Sequence, residues 1–383
     1  MQAPPPPPAP AYLYTDQWLA FDYGPAHPLR INRLALTNEL ISRLDLTQPS
    51  FPVRPADARE LGIFHDSRYL DILQELSMMP QTADYYAFGL GAGDNPVFPG
   101  LFEWSTLLAG ASLQAGELVS MLGHPAAFNM SGGMHHAMPA RASGFCYVND
   151  PALVIKDLVG RGLRVAYIDI DAHHGDGVQW AFYDTPQVLT ISLHQHPATL
   201  FPGTGLSEEM GRGEGKGFAV NVPLWPDSED DIYIRCFDEV VPPLLEAFKP
   251  DYVVTQLGVD SLLADPLANL NLTTRGYGHC LKRFKELCWD RWIAVGGGGY
   301  NMINVARGWT LTWAIMLGRE DELPEKLPQE MCERLELRED EQWLLDPEEK
   351  LRGRYFSRAD DEAKETVAYI QREIFPLLGA SKA

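Results

Sequence analysis

Residues 167–179 read YIDIDAHHGDGVQ, with three aspartates and two histidines crowded at the end of an apolar run that holds Val165, Tyr167, Ile168 and Ile170. Unpaired charge is costly to remove from water, so something must compensate these side chains if the run is buried. A metal ion is the agent that best fits the residue types. In an extended strand, residues two apart share a face. Asp169, Asp171 and His173 then line one side, with Ile168, Ile170 and Ala172 on the other. Asp171 and His173 are spaced to grip one ion together. A catalytic zinc takes three protein ligands and leaves a position open for water or substrate. Asp260, in QLGVDSLLADP, is the best third ligand. Two carboxylates and an imidazole suit zinc or Fe(II) better than octahedral magnesium.

A second pair of groups could use such an ion. His135 and His136 follow Gly132 and Gly133, where the backbone can turn sharply beside a ligand. Each imidazole needs a partner to set its tautomer, and Asp169 and Asp176 are the spare carboxylates. Two Asp–His dyads beside one metal can carry out acid–base hydrolysis with an activated water. Gly296–Gly299 precede Tyr300 without the G-K-[ST] ending of a phosphate loop. They read instead as a flexible hinge that presents the Tyr300 hydroxyl to a polarised carbonyl.

These residues need a scaffold that gathers them. Five short apolar runs look like strands of a parallel sheet, at 126–130, 164–170, 187–193, 251–258 and 291–297. Helical patterns at 147–162, 228–248 and 273–288 lie between them. The expected fold is α/β, a single open and mostly parallel sheet with helices on both faces. SGGMHH, DAHHGDG, HQH, VDS and GGY follow the five runs in turn, so the polar groups collect at the carboxyl ends of the strands. Open α/β sheets bind ligands at that rim. MQAPPPPPAPA, residues 1–11, reads as a proline-rich disordered tail. Residues 12–383 read as one catalytic domain, with an acidic helical appendage from about 319.

Composition excludes other classes. A formal charge of −21 argues against direct nucleic-acid binding and favours cationic substrates. No apolar run approaches the ~20 residues of a membrane span. The five scattered cysteines fit reduced thiols in a cytoplasmic protein.

The motifs SGGMHHAMPARASGFCYVND, YIDIDAHHGDGVQ, TISLHQ, FPGTG, QLGVDSLLADPLANLNLT and VGGGGYNMINVARGWT resemble those of the zinc-dependent histone deacetylase superfamily. Within it the chain is most similar to bacterial acetoin-utilisation and histone-deacetylase-like proteins related to class I. The resemblance runs from about Tyr14 to Gly318 in the family's order. It implies an arginase/deacetylase-like sheet and hydrolysis of acylated lysine on proteins or peptides. It implies one zinc ion held by Asp171, His173 and Asp260, with His136–Asp176 as the main base and acid and His135–Asp169 as the second dyad. Tyr300 would stabilise the oxyanion. Gly144, Phe145 and Phe201 would line a tunnel, Asp94 would hold the substrate backbone, and Leu267 would sit at the mouth. Arg33 would line an internal acetate channel. Potassium would bind main-chain oxygens of Asp169, Asp171 and His173 with Ser192 and Leu193, and a weaker outer site would use Phe182, Thr185, Val188 and Phe218. A homo-oligomer is left open.

Leu200 stands beside Phe201 where many class I relatives carry a second aromatic residue, which bears on acyl-chain preference. Three alternatives are weighed against protein deacetylation. Acetylpolyamines or other small acylated amines would meet the same chemistry. An arginase-like ureohydrolase would need further carboxylates for a second metal, at positions occupied here by Gly175 and Leu262. An inactive acyl-lysine binder would not need every catalytic position filled.

Overall fold

The computed structural model describes residues 8–78, 85–91, 93–348 and 352–382. Its strands are Ala11–Leu13 (β1), Ala126–Asn129 (β2), Val165–Asp169 (β3), Val188–Gln195 (β4), Ala219–Leu224 (β5), Tyr252–Gln256 (β6) and Trp292–Val295 (β7). They form one seven-stranded sheet in the order β1-β2-β7-β6-β3-β4-β5, with every neighbouring pair parallel. The runs of Val, Ile, Ala and Leu suit strands covered on both faces, and β2, β3, β4 and β7 are buried along their whole length. All five expected strands are present. From β3 the chain moves to β4 on one side, and from β6 to β7 on the other, so strand order reverses between β3 and β6. That reversal puts crossover helices on both faces and opens a crevice between the carboxyl ends of these two strands.

The three expected helices are Asp150–Gly160, Asp230–Phe248 and Thr274–Cys288. Two of their first turns are capped by side chains: that of Asn149 accepts from Ala152 N–H, and that of Thr273 from Arg275 N–H. Two strands were not expected, and both lie at sheet edges. β5 contains Pro223, which has no N–H to donate to a ladder, and β1 is three residues long.

β1 also corrects the limit of the proline-rich tail. Ala11 pairs with Ala127 and is buried, and Ala9 O accepts from His124 Nδ1 at 2.7 Å, so residues 9–11 are docked. Residues 1–7 lie outside the described residues. At the other end, the helix Phe356–Glu373 places Ala359, Ala363, Val367 and Ile370 in the main hydrophobic core. It packs on β5 and on the helix Asp230–Phe248, and so covers an open sheet edge. No helix among the described residues is long and apolar enough to cross a membrane.

Candidate active site

β3 ends at Asp169, and residues 170–175 form a bend rather than a continuing strand. The two-residue alternation expected for Asp169, Asp171 and His173 therefore stops one residue into the motif. The cause is local. Carboxylates take main-chain N–H groups that a neighbouring strand would otherwise accept: Asp169 Oδ1 takes that of Asp171 at 3.1 Å, Asp171 Oδ1 that of His173 at 2.9 Å, and Asp260 Oδ1 that of Ala172 at 2.7 Å. The bend turns Asp171 and His173 towards Asp260, which follows β6 at the reversal of strand order.

His173 Nδ1 lies 3.1 Å from Asp171 Oδ1 and 2.9 Å from Asp260 Oδ2. Ligand atoms of the three residues lie within 4.8 Å of one another, and this is the one such group found among the described residues. All three side chains are buried. Burial, then the Asp171 charge, pushes the Asp260 carboxyl upward. Burial opposes a charged His173, yet hydrogen bonds to both carboxylates raise it. Two buried carboxylates around one imidazole nitrogen are short of positive charge, and an O,N,O donor set fits a divalent cation such as zinc. Asp171 Oδ2 accepts Gln256 Nε2–H and Gly298 N–H, each at 2.7 Å, which orients the carboxylate with Oδ1 towards His173.

The twin histidines sit beside this triad. His135 Nδ1 is 2.7 Å from Asp169 Oδ2, and His136 Nδ1 is 2.7 Å from Asp176 Oδ1. With both Nδ1 atoms donating to carboxylates, the Nε2 atoms face each other at 3.0 Å. Burial works against charge on His135, but Asp169 and Asp171 outweigh it and push its pKa up to about 9. Burial and the neighbouring His135 push His136 down to about 4. His135 thus carries the charge of the pair, and His136 is neutral.

The remaining expected residues form a walled opening. Gly144 and Phe145 both adopt left-handed backbone, with φ of 51° and 68°. A Cβ on Gly144 would stand 2.5 Å from His136 and 2.8 Å from Phe201, so the glycine lets the wall close on the His136 ring. Phe201 meets the His136 ring edge-on at 5.0 Å and Phe145 meets Tyr300 at 5.6 Å. A cavity of about 20 Å³, lined by His135, His136, Gly144, Phe145, Asp171 and Tyr300 among others, has room for about one water. Asp94 is exposed; its carbonyl accepts from His27 Nε2 at 3.2 Å, and the His27 ring packs on Phe145. Leu267 is half-buried, and Leu200 packs beside the main core. Arg33 is buried, donates to Gly299 O at 2.9 Å and lies over Trp309.

Asp169 is paired with Ser192 across β3 and β4, with Leu193 next in β4, so the expected inner potassium residues are neighbours. Val188 opens β4, Thr190 N–H donates to Phe218 O, and Thr185 N–H donates to Phe182 O, which gathers the outer set at the other end of that strand.

Several residues that hold the site are not among those expected from the sequence. Asp150 accepts Gly133 N–H at 3.0 Å and Met134 N–H at 2.8 Å, while Asn149 Nδ2 donates to His135 O and Ala137 O. Together they clamp the turn that carries the twin imidazoles. The Asn-Asp-Pro string at a helix start was the available signal, since capping residues there can also bind a neighbouring turn. Gln256, a polar residue inside a buried strand, was the other.

The sequence matches the histone deacetylase domain over residues 27–316. The chain belongs to the histone deacetylase family. Histone deacetylase B of Dictyostelium discoideum is 40% identical over 319 residues, covering 82% of this chain and 75% of the relative. The crystal structure of a histone deacetylase homolog from Aquifex aeolicus superimposes with a TM-score of 0.86 at 34% identity, over 95% of this chain and 100% of that one. A second structure, a deacetylase homolog complexed with SAHA, gives 0.87 at 34% identity over the same shares. This member of the histone deacetylase family is therefore a hydrolase of the deacetylase type, on a fold expected from its sequence.

Proposed function

We propose that the chain hydrolyses the amide of acylated lysine side chains on proteins or peptides, releasing the free amine and a carboxylate. The observation that carries this reading is the meeting of two Asp–His dyads, Nε2 to Nε2 at 3.0 Å, beside the triad Asp171, His173 and Asp260. A zinc ion held by that triad would supply Lewis-acid polarisation of the substrate carbonyl and activation of a water.

The chain's own groups do the rest. His136 Nε2, neutral at physiological pH, accepts the proton of the attacking water and returns it to the leaving nitrogen. Asp176 holds the Nδ1 proton and steadies the charge that His136 gains. His135, kept protonated by Asp169, supplies a fixed positive charge where oxyanion charge develops. The Tyr300 hydroxyl donates to that oxygen from the opposite side. Phe145 and Phe201 flank an extended apolar stem, and Asp94 and Leu267 meet the substrate at the rim. Arg33 lies on the route by which acetate leaves. Main-chain oxygens of Asp169, Asp171 and His173 with Ser192 and Leu193 would hold one potassium ion, and Phe182, Thr185, Val188 and Phe218 another.

The test is turnover of acetyl-lysine peptides, longer acyl-lysine peptides and acetylpolyamines by the metal-loaded protein, with and without chelator. Acetyl-lysine peptides should be cleaved best, with activity lost on chelation. Preference for acetylpolyamines would move the substrate class to small amines. His136→Ala should lose at least about 100-fold in kcat at unchanged metal content; normal turnover in that variant would discard the assigned base.

A further inference from the structure

The backbone that carries Tyr300 has little regular structure to hold it. It leaves β7 at Val295 and enters the helix Met302–Leu317 after a run of four glycines. Gly297 and Gly299 adopt φ of 146° and 138°, a region open chiefly to glycine. Ordering such a segment is entropically expensive, so its position depends on its tethers.

Three charged side chains provide them. Asp171 Oδ2 accepts Gly298 N–H at 2.7 Å, and Arg33 donates to Gly299 O at 2.9 Å. Asp265 Oδ2 accepts Tyr300 N–H at 2.8 Å and Asn301 N–H at 3.3 Å. Asp171 and Arg33 already have places in the proposed reaction, and Asp265 has none. It is buried, and its hydrogen-bond partners are main-chain N–H groups. Its second oxygen, Oδ1, accepts Leu267 N–H at 2.9 Å. The segment around it is fastened in turn: Leu263 N–H donates to Leu272 O at 2.7 Å, and Asn304 Nδ2 donates to Leu263 O at 2.9 Å. One carboxylate therefore ties the rim residue Leu267 to the main chain of Tyr300.

We propose that Asp265 is the positioning residue for Tyr300: it fixes the backbone that carries the hydroxyl and couples it to the rim segment that meets substrate. This rests on the reading of Tyr300 as the oxyanion donor. An ionised carboxylate can accept from both sides at once, whereas an asparagine must turn an NH2 group towards either the Leu267 or the Tyr300 N–H. The segment would then shift, and a displacement of about 1 Å in a catalytic group costs up to about 100-fold in rate.

The experiment compares the metal-loaded parent, Tyr300→Phe, Asp265→Asn and the double variant on an acetyl-lysine peptide, with metal content and thermal unfolding recorded for each. Tyr300→Phe should lower kcat by about 100-fold or more. Asp265→Asn should lower kcat by about 10- to 100-fold with KM within about threefold of the parent. The double variant should be no slower than Tyr300→Phe alone. An equal loss from Asp265→Asn in both backgrounds, or no loss at all, overturns the positioning role and leaves Tyr300 as donor intact. An unchanged rate in Tyr300→Phe refutes the donor reading itself, and with it this inference. Asp265→Ser repeats the comparison if the asparagine variant does not fold. Failure of both to fold with metal assigns Asp265 to stability and overturns the proposal.

Discussion

Gly298→Ala should remove the metal while leaving the fold in place. A Cβ at this position would stand 2.0 Å from Asp260 Oδ2 and 2.8 Å from Asp171 Oδ2. Ordinary contact for such atoms begins near 3.5 Å, so the Asp260 oxygen must retreat by about 1.5 Å. Metal–ligand distances tolerate only about 0.2 Å, so the retreat removes the ligand rather than stretching its bond. Asp260 cannot simply slide, because its other oxygen holds Ala172 N–H at 2.7 Å. Weakening a group that merely orients a ligand costs about 10- to 100-fold in affinity, so loss of a ligand should cost at least about 100-fold, or about 2.7 kcal/mol. Overpacking adds about 1–3 kcal/mol of destabilisation, which a domain of this size survives. The assay is metal content after dialysis, followed by chelator competition, with circular dichroism as the check on folding. Gly144→Ala is the control: its Cβ would strike His136 at 2.5 Å and Phe201 at 2.8 Å, both away from the triad. It should keep the metal and lose turnover. A folded Gly298→Ala protein that binds metal with affinity within about threefold of the parent, well short of the tenfold that about 1.4 kcal/mol represents, would refute the geometry.

Removing the cation by chelation should lower Tm, because Asp171 and Asp260 are then buried with too little positive charge. At a metal concentration of about 100 Kd the ligand contributes about 2.7 kcal/mol; a Tm unmoved by chelator and by zinc re-addition would contradict the cation site. Stability should also fall in mild acid through His65, whose pKa burial holds down to about 4. Its Nε2 accepts Asn149 N–H at 3.0 Å, so a proton there would oppose another. The folded protein resists protonation that the unfolded chain takes up near pH 6.5, so this contribution is complete above that pH and is lost as pH falls towards 4. The loss is about 3 kcal/mol, and urea unfolding of His65→Asn should show a shallower decline over that range. Ala264 is exposed and held at a φ of 69°. Ala264→Gly should stabilise by about 0.5–1 kcal/mol, the left-handed penalty less the entropy added to the unfolded chain, and destabilisation on urea unfolding would count against it.

The sequence makes the centre of the sheet legible and its edges obscure, for one physical reason. Strands covered on both faces must be nearly continuous apolar runs, so β2, β3, β4, β6 and β7 announce themselves. β5 carries Asn221 and Pro223 because an edge tolerates them, and three-residue β1 follows a proline run. At the site, the types and spacing of Asp171, His173, Asp260 and the twin histidines are enough to suggest a cation and a base. What stays hidden is the support. Asp150, Asn149, Gln256 and Asp265 act through main-chain N–H and C=O groups or a single ligand oxygen, and such contacts leave no spacing rule behind. The expected hinge at Gly296–Gly299 shows the same limit: glycines permit movement, but three charged residues pin this segment.

The charges that face each ring set the two imidazoles apart. Asp169, Asp171, Asp176 and Asp260 bring four negative charges to the crevice if all are ionised. Asp265, which tethers the Tyr300 backbone, adds a fifth; the buried Arg33 guanidinium and a protonated His135 bring two positive charges, and a divalent cation at Asp171, His173 and Asp260 would bring two more. A second protonated histidine would set two cationic rings facing each other at 3.0 Å. Asp169 and Asp171 hold the proton on His135, while burial and the charge of His135 keep His136 without one. The asymmetry between two apparently equivalent dyads thus follows from the carboxylates and the neighbouring ring that each imidazole faces.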